Sequence, residues 1–145
     1  GVSSHNMHRF QRVQNCLARV DTPTRYSVTP VSSDSLLASL HWLPIRQRVT
    51  FKLACLVYCS SHGTSPTYLS SLLQAYTPTR PLRRLLSSSA DLLIEPRLRT
   101  TLGSRGFRSV WPRIWNSLPN SIKLAPSYTA FRSKLKTHLF PSSRQ

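Results

Sequence analysis

Two cysteines and a histidine in the middle of the chain are the residues best placed to form a metal or reactive centre. Cys55, Cys59 and His62 are spaced at i, i+4 and i+7, which puts them on one face of a helix and lets two or three touch one Zn²⁺. Arg48 and Lys52 share that face and would repel a dication. Because buried free cysteine is the more common arrangement, we predict no metal and no cofactor, with a small zinc-binding module as the less favoured alternative.

Acidic residues are too few to build a catalytic carboxylate centre. The chain has 4 Asp and Glu residues, scattered along its length as Asp21, Asp34, Asp91 and Glu95. A two-metal polymerase or nuclease centre needs clustered carboxylates. The sequence has no GxSxG, Walker or GxGxxG motif, and a Cys–His nucleophile would lack an orienting third group. We therefore expect no enzymatic activity and no small-molecule substrate for this chain.

Arginines interleaved with aromatic residues form the strongest functional signal. Lys and Arg total 20, giving a formal charge of +16, which indicates a polyanionic partner. Cations that follow a phosphate backbone beside aromatic platforms are typical of single-strand binders, so we predict binding of RNA or single-stranded DNA without sequence specificity. The candidate phosphate contacts are Arg80, Arg83, Arg84, Arg97, Arg99, Arg105, Arg108 and Arg113. Phe107, Trp111 and Trp115 are possible stacking residues, although Trp111 and Trp115, at i and i+4, fit the core better.

Cysteine count and hydropathy indicate the cellular compartment of the chain and its relation to membranes. Three cysteines give no complete disulfide framework, which argues against a secreted scaffold. The longest apolar run, Leu53 to Tyr58, is far shorter than a membrane span. We therefore expect an intracellular protein with no membrane partner.

Helical periodicity dominates the first half, so the expected fold class is mainly α. Residues 8–20 place Phe10, Val13, Leu17 and Val20 on one stripe, with Arg12 and Arg19 on the opposite face, which predicts a helix. Prolines and a glycine then divide a compact helical unit over about residues 35–75 into helices near 34–43, 44–61 and 66–75. The residues of this unit predicted to face inward are Leu36, Leu37, Leu40, Ile45, Val49, Leu53, Leu56, Val57, Leu69, Leu72 and Leu73.

The second half is predicted to hold flanking helices and a short irregular β ribbon near 91–102, broken at Pro96. An aromatic helix interrupted at Pro112 follows, then a single turn at 120–124 and a final helix capped by Ser127. Residues 77–90 read as a basic flexible connector, and residues 1–7 and 141–145 as disordered ends. We expect the helical unit 8–76 and segment 91–140 to pack as one domain.

Several motifs follow one another along about residues 8–140, namely RFQRVQNCLARV, LHWLPIRQRVTFKL, HG, SPTYLSSLL, YTPTRPLR, LLIEPRLRT, RIWNSLPNSIK and APSYTAFRSKLKTHLF. In order and spacing they resemble the tract that follows the polymerase domain in LINE-type (non-LTR) retrotransposon reverse transcriptases. The chain departs from the family pattern at Cys55 and Cys59, where apolar or basic residues are usual, and in its irregular linker DTPTRYSVTPVSSD. With Gly1 at its start, this suggests a fragment from a truncated or decaying copy.

The resemblance implies a non-catalytic fragment of a larger RNA-directed DNA polymerase that also carries an endonuclease. The polymerase's catalytic aspartates would lie upstream, so no catalytic residue transfers to this chain. The implied partners are nucleic acid and the upstream polymerase domain, in the nucleus if the chain acts with the parent element. A structural brace that packs on the polymerase thumb is the alternative role.

Overall fold

Eight helices form almost all the regular structure of the computed structural model, which describes residues 2–22, 31–76, 92–97, 99–104 and 106–140. The fold is mainly α-helical, as predicted. The helices are α1 (Ser4–Asp21), α2 (Ser33–Ser39), α3 (Ile45–Ser61), α4 (Thr67–Ser70), α5 (Thr101–Ser104), α6 (Phe107–Ser117), α7 (Asn120–Lys123) and α8 (Tyr128–Leu139). The predicted connector 77–90 and the tail 141–145 lie outside the described residues. No described helix is long and apolar enough to cross a membrane.

The main core lies where α3 packs against α6 and α8. Trp111 and Phe131 are the largest fully buried side chains, at 1% and 0% exposure. The ring of Tyr58 stacks on Phe131 with centroids 4.3 Å apart, and its hydroxyl donates to the Ala125 carbonyl oxygen at 3.0 Å. Since a buried tyrosine needs a partner for its hydroxyl, this hydrogen bond lets α3 bury a large ring without an unsatisfied polar atom.

A second, smaller cluster joins α1 to α2. Its buried residues are Ala18, Leu36 and Leu37, with Leu40 and Trp42 packed against them. Hydrogen bonds from two glutamines of α1 add to this contact. The Gln14 side chain donates to the Leu43 carbonyl oxygen at 2.9 Å, and Gln11 Oε1 accepts from the Ile45 backbone N–H at 2.9 Å.

The helix predicted over residues 8–20 is present as α1, but its apolar stripe faces outward. Phe10, Val13, Leu17 and Val20 are 53%, 58%, 55% and 81% exposed. The buried face carries Gln14 and Ala18 instead. The small alanine allows close approach to α2, and the glutamine is satisfied by the backbone after α2, so hydrogen bonding and shape outweigh the apolar periodicity here. Helix α1 also begins at Ser4, capped by the Ser3 side chain, where the sequence predicted disorder through residue 7.

The inward face of α3 agrees with the prediction at Val57 but is rotated from it elsewhere. Val49 and Leu56 are 45% and 40% exposed, whereas Ala54, Cys55 and Tyr58 are buried. Small residues at 54 and 55 allow the aromatic side chains of α6 and α8 to approach the helix closely. The core therefore selects the face with the better shape rather than the face with the most aliphatic residues.

The predicted β ribbon is reduced to one isolated bridge between Ala75 and Leu93 within the described residues, and positions 101–104 are helical. The side chain of Asn116 substitutes for a partner strand. Its Oδ1 accepts from the Leu93 N–H at 3.0 Å, and its Nδ2 donates to the Leu93 carbonyl oxygen at 2.9 Å. One amide thus satisfies both backbone groups of Leu93, so a second strand is unnecessary.

Helix ends follow the predicted signals more closely than helix faces do. Gly63 adopts a left-handed φ of 69° after α3, and the Ser127 side chain caps α8 by accepting from the Ala130 N–H at 3.2 Å. Three further features differ from the prediction, beginning with α2, which ends at Ser39 rather than near residue 43. Helix α4 stops at Ser70 instead of Ala75, and α6 runs continuously through Pro112, whose ring is buried in the core side of the helix.

Candidate nucleic-acid interface

The arginines predicted to contact phosphate are exposed wherever the structure describes them. Arg97, Arg99 and Arg108 are all solvent-accessible, and Arg113 is 61% exposed. Arg108 and Arg113 project from α6, whose buried side holds the two tryptophans. The remaining candidates, Arg80, Arg83, Arg84 and Arg105, lie outside the described residues.

Arg113 has an acidic partner. Its Nε lies 3.6 Å from Glu95 Oε2, and the other carboxylate oxygen of Glu95 accepts from Asn116 Nδ2 at 3.2 Å. An exposed pair of this kind is worth at most about 1 kcal/mol, and phosphate can compete for the guanidinium. Arg113 is therefore a weaker candidate than Arg97, Arg99 or Arg108, which form no ion pair within the described parts of the chain.

The stacking role is contradicted for both tryptophans. Trp111 and Trp115 are 1% and 4% exposed, so neither ring has a free face for a base. The alternative interpretation, that they belong to the core, is the one the structure supports. Phe107 is partly buried and lies against Trp111 with ring centroids 4.5 Å apart. It is the one stacking candidate that keeps accessible ring surface.

A second group of cations, which the sequence analysis did not single out as a binding site, lines a groove between α1, α3 and α8. Arg48 and Lys52 come from α3, and Arg132 and Lys136 come from α8. Each pair is spaced by four residues, so each lies on one helix face. Sequence spacing could have found either pair, but only the packing of α3 on α8 brings the two together. The Arg132 guanidinium lies 5.5 Å from the centroid of the Tyr128 ring, a cation–π geometry that restricts the side chain.

The cysteines and His62 do not form a metal centre in the described part of the chain, where no group of three or more His, Cys, Asp or Glu residues could hold an ion. His62 Nδ1 donates to the Tyr58 carbonyl oxygen at 2.9 Å, and its ring stacks on Tyr58 with centroids 4.0 Å apart. Burial raises the pKa of the Cys55 thiol, more than the hydrogen bond from Tyr128 and the charge of Arg132 lower it. A raised pKa keeps the thiol protonated and is the reverse of what activates a nucleophilic cysteine.

A second hollow, of about 720 Å³, lies between α3 and the Ala75–Leu93 bridge. Its polar lining includes Ser60, His62 and Lys123. The Lys123 ammonium group is directed inward and donates to the Asn116 carbonyl oxygen at 3.3 Å. The buried lysine therefore serves the packing of α7 on α6, and we assign the hollow no ligand.

Comparison with known proteins adds no relative. No family model matches the chain, and neither a curated protein nor a solved structure is significantly similar to it.

Proposed function

We propose that this chain binds single-stranded RNA or DNA without sequence preference, as a non-catalytic, post-polymerase fragment of a LINE-type reverse transcriptase. The observation that carries the proposal is the charge. Lys and Arg outnumber Asp and Glu by 20 to 4, and every arginine that the structure describes is exposed. With so few carboxylates in the chain, phosphate is the natural counter-charge for these side chains.

Phosphate contact, rather than base contact, would supply most of the affinity. Both tryptophans lie in the core, which leaves Phe107 alone among the candidate stacking residues. Phosphate contacts hold a nucleic acid in place but do not read its sequence. Binding should therefore depend steeply on salt and little on base composition.

A salt titration tests the proposal directly. Binding of the full chain to a fluorescent 20-nucleotide single strand is measured by anisotropy between 50 and 300 mM KCl. If about six phosphates are neutralised, log affinity should fall against log salt with a slope of about −4 to −5. A flat salt dependence, or no binding at the lowest salt, would refute the proposal.

Charge reversal locates the interface. The double variant Arg83→Glu/Arg84→Glu should weaken binding about tenfold or more and reduce the salt slope by about 1 to 2. The matched control is Arg9→Glu/Arg12→Glu on α1, which changes the net charge equally. Equal losses in the two double variants would indicate that only the total charge matters and that no site exists.

The second candidate function is a structural brace that packs on the upstream polymerase thumb. The exposed apolar stripe of α1 favours it, because such a stripe is typical of a surface that contacts another protein. Under this alternative, Arg83→Glu/Arg84→Glu would have little effect on nucleic acid, and a co-purification assay would show the chain bound to the polymerase domain. Under the first, nucleic-acid binding falls and that association is unchanged.

A further inference from the structure

A groove of about 680 Å³ between α1, α3 and α8 is apolar along one side and basic along the other. The apolar side is formed by Phe10, Val13 and Leu17 of α1. Ile45 and Phe51 of α3 continue it into the floor. The groove is thus amphipathic across its width, which is the pattern of a surface that receives one face of a helix.

The apolar side repeats at the spacing of a helix–helix seam. Phe10, Val13, Leu17 and Val20 follow intervals of three, four and three residues, as the a and d positions of a heptad do. Each is more than half exposed, and no described part of the chain covers them. Large side chains in such a row leave an apolar surface that a partner would stabilise by removing it from water.

The basic side determines the charge of the occupant. Arg48 and Lys52 of α3 face the groove together with Arg132 and Lys136 of α8, and no Asp or Glu lines it. Four cations without a carboxylate repel one another across the α3–α8 contact. An occupant that brings carboxylates to this side removes that repulsion and gains charge-assisted hydrogen bonds.

We infer that the groove binds an acidic amphipathic α-helix of a partner polypeptide. The partner's apolar residues, at i, i+3 or i+4, and i+7, pack on the α1 stripe, and its Glu or Asp residues on the adjoining flank meet the four cations. The stripe from Phe10 to Val20 spans about 15 Å at 1.5 Å per residue, which a partner helix of about three turns matches.

Two other occupants fit the groove less well. A single-stranded nucleic acid would satisfy the cations but would place its phosphates and sugars beside Phe10, Val13 and Leu17, where they gain nothing from burial. A second copy of the chain would cover the stripe, but each copy carries a formal charge of +16 and offers almost no carboxylate to the basic side. Only an acidic, amphipathic partner complements both sides.

A designed peptide tests the surface without knowledge of the natural partner. The probe is a fluorescein-labelled peptide of about 16 residues, with Leu at i, i+3, i+4 and i+7 and Glu along one flank, titrated with the full chain at 150 mM KCl. The control is a scrambled peptide of the same composition, which keeps the charge but lacks the two faces. We expect the amphipathic peptide to bind at least tenfold more tightly. Equal affinity would show that the chain only attracts acidic peptides in general, and would overturn the inference.

Variants on each side of the groove identify the contact. Val13→Glu/Leu17→Glu should weaken binding of the amphipathic peptide at least tenfold. Leu102→Glu/Leu124→Glu, at exposed positions outside the groove, should lose less than threefold in affinity.

The basic side is tested in the same way. Lys52→Glu/Lys136→Glu should lower the affinity for the peptide about tenfold, against a small loss for Arg9→Glu/Arg46→Glu, which changes the net charge equally. All eight positions are exposed, so folding should survive, and the lysine pair tests the groove even if the α1 variant unfolds. Equal losses in groove and control variants would contradict the inference.

Two further outcomes would assign the groove to another occupant. Sedimentation of the chain alone would reveal a dimer that Leu17→Glu abolishes if a second copy covers the stripe. A single-stranded oligonucleotide would displace the peptide, and would itself lose affinity in Val13→Glu/Leu17→Glu, if nucleic acid occupies the groove. Either result overturns the inference. Failure of peptide binding, by contrast, would leave the predicted oligonucleotide binding unaffected.

Discussion

The two apolar clusters of this molecule are held together in different ways. The cluster between α3, α6 and α8 buries aromatic rings, including Trp111, Trp115 and Phe131. The cluster between α1 and α2 buries only Ala18, Leu36 and Leu37, and depends in addition on the amide hydrogen bonds of Gln11 and Gln14. The first therefore gains its stability from buried area, and the second from a few directed contacts.

This difference affects what each region can offer to a partner. The aromatic cluster uses most of its apolar residues internally, so the surface of α6 and α8 is left mainly to charged and polar side chains. Helix α1 attaches through Gln14 and Ala18, and its large apolar residues stay outside. A helix held by a small apolar cluster and a few hydrogen bonds can also open at lower free energy than the core. The same chain thus combines a stable cationic unit, formed by α3, α6 and α8, with a helix, α1, that exposes an apolar face.

The largest effect is expected from truncation at the centre of the aromatic cluster. Phe131 is fully buried, stacked on Tyr58 and 6.2 Å from the Trp115 ring centroid. Phe131→Ala should lower the free energy of unfolding by about 3–5 kcal/mol, measured by urea denaturation at 150 mM KCl. Domains of this size have only about 5–15 kcal/mol in total, so the variant should be close to unfolded.

The control for this truncation is Leu102→Ala, because Leu102 is 79% exposed. Its cost should be within about 0.5 kcal/mol, as is usual for surface positions. A cost below about 1 kcal/mol for Phe131→Ala would mean that buried aromatic area does not stabilise the packing of α3, α6 and α8. The proposed difference between the two clusters would then be wrong.

Helix boundaries were largely predictable from the sequence, because they depend on local chemistry. Pro44 and Gly63 bracket α3, and Ser127 begins α8, through effects that act within one turn of the chain. The end of α2 at Ser39, by contrast, could not be predicted from local sequence signals. His41 takes a left-handed φ of 54° and the N–H of Trp42 bonds to the Leu37 carbonyl oxygen at 2.8 Å, an ending for which glycine is the usual sign.

The inward face of α2 was predicted correctly at Leu36 and Leu37, but that of α3 only in part, because a face is chosen by the neighbouring helix. Val49 and Leu56 fit an inward stripe as well as Ala54 and Cys55 do, and only the shape of α6 and α8 decides between them.

The cationic groups of the candidate interface were also predictable only in part. Exposure of Arg97, Arg99 and Arg108 could be expected from charge alone. The meeting of Arg48 and Lys52 with Arg132 and Lys136 could not, because it depends on a contact between helices far apart in sequence.

An intermediate effect is expected at the amide that attaches α1. Gln14 donates to the Leu43 carbonyl oxygen and is 6% exposed, so Gln14→Ala leaves that carbonyl without its partner. The cost should be about 1–3 kcal/mol. Because no residue of α1 belongs to the aromatic cluster, hydrogen exchange should accelerate in α1 and α2 and change little in α6 and α8.

Asn15→Ala is the control for Gln14→Ala, since Asn15 is partly exposed and its side chain accepts a hydrogen bond from Gln11 of its own helix. It should change exchange rates in α1 only slightly. Uniform acceleration across all helices of the Gln14→Ala variant would show that both clusters unfold as one cooperative unit. The α1–α2 cluster would then not differ in stability from the α3–α6–α8 cluster.

The smallest effect concerns the pH dependence of the aromatic cluster. Burial raises the pKa of the Cys55 thiol above its ordinary value of 9.0, so the folded chain holds this proton to a higher pH than the unfolded chain does. The stability that Cys55 contributes is therefore complete below about pH 9 and is lost as the pH rises through the folded-state pKa, because the unfolded state then binds fewer protons.

Burial also raises the pKa of Tyr128, and Cys55 adds to that shift, so Cys55→Ala removes the Cys55 contribution together with one of the same sign at Tyr128. Urea midpoints of the wild type and of Cys55→Ala are compared from pH 7.5 to 10.5. The wild type should lose stability above pH 9 more steeply than the variant, even though the variant starts lower because it has lost buried volume. Cys16→Ala is the matched control, since Cys16 is an exposed cysteine of α1 outside the aromatic cluster. Parallel pH profiles for the wild type and Cys55→Ala would show that the thiol ionises as easily in the folded as in the unfolded chain, which a thiol enclosed in the aromatic cluster would not do.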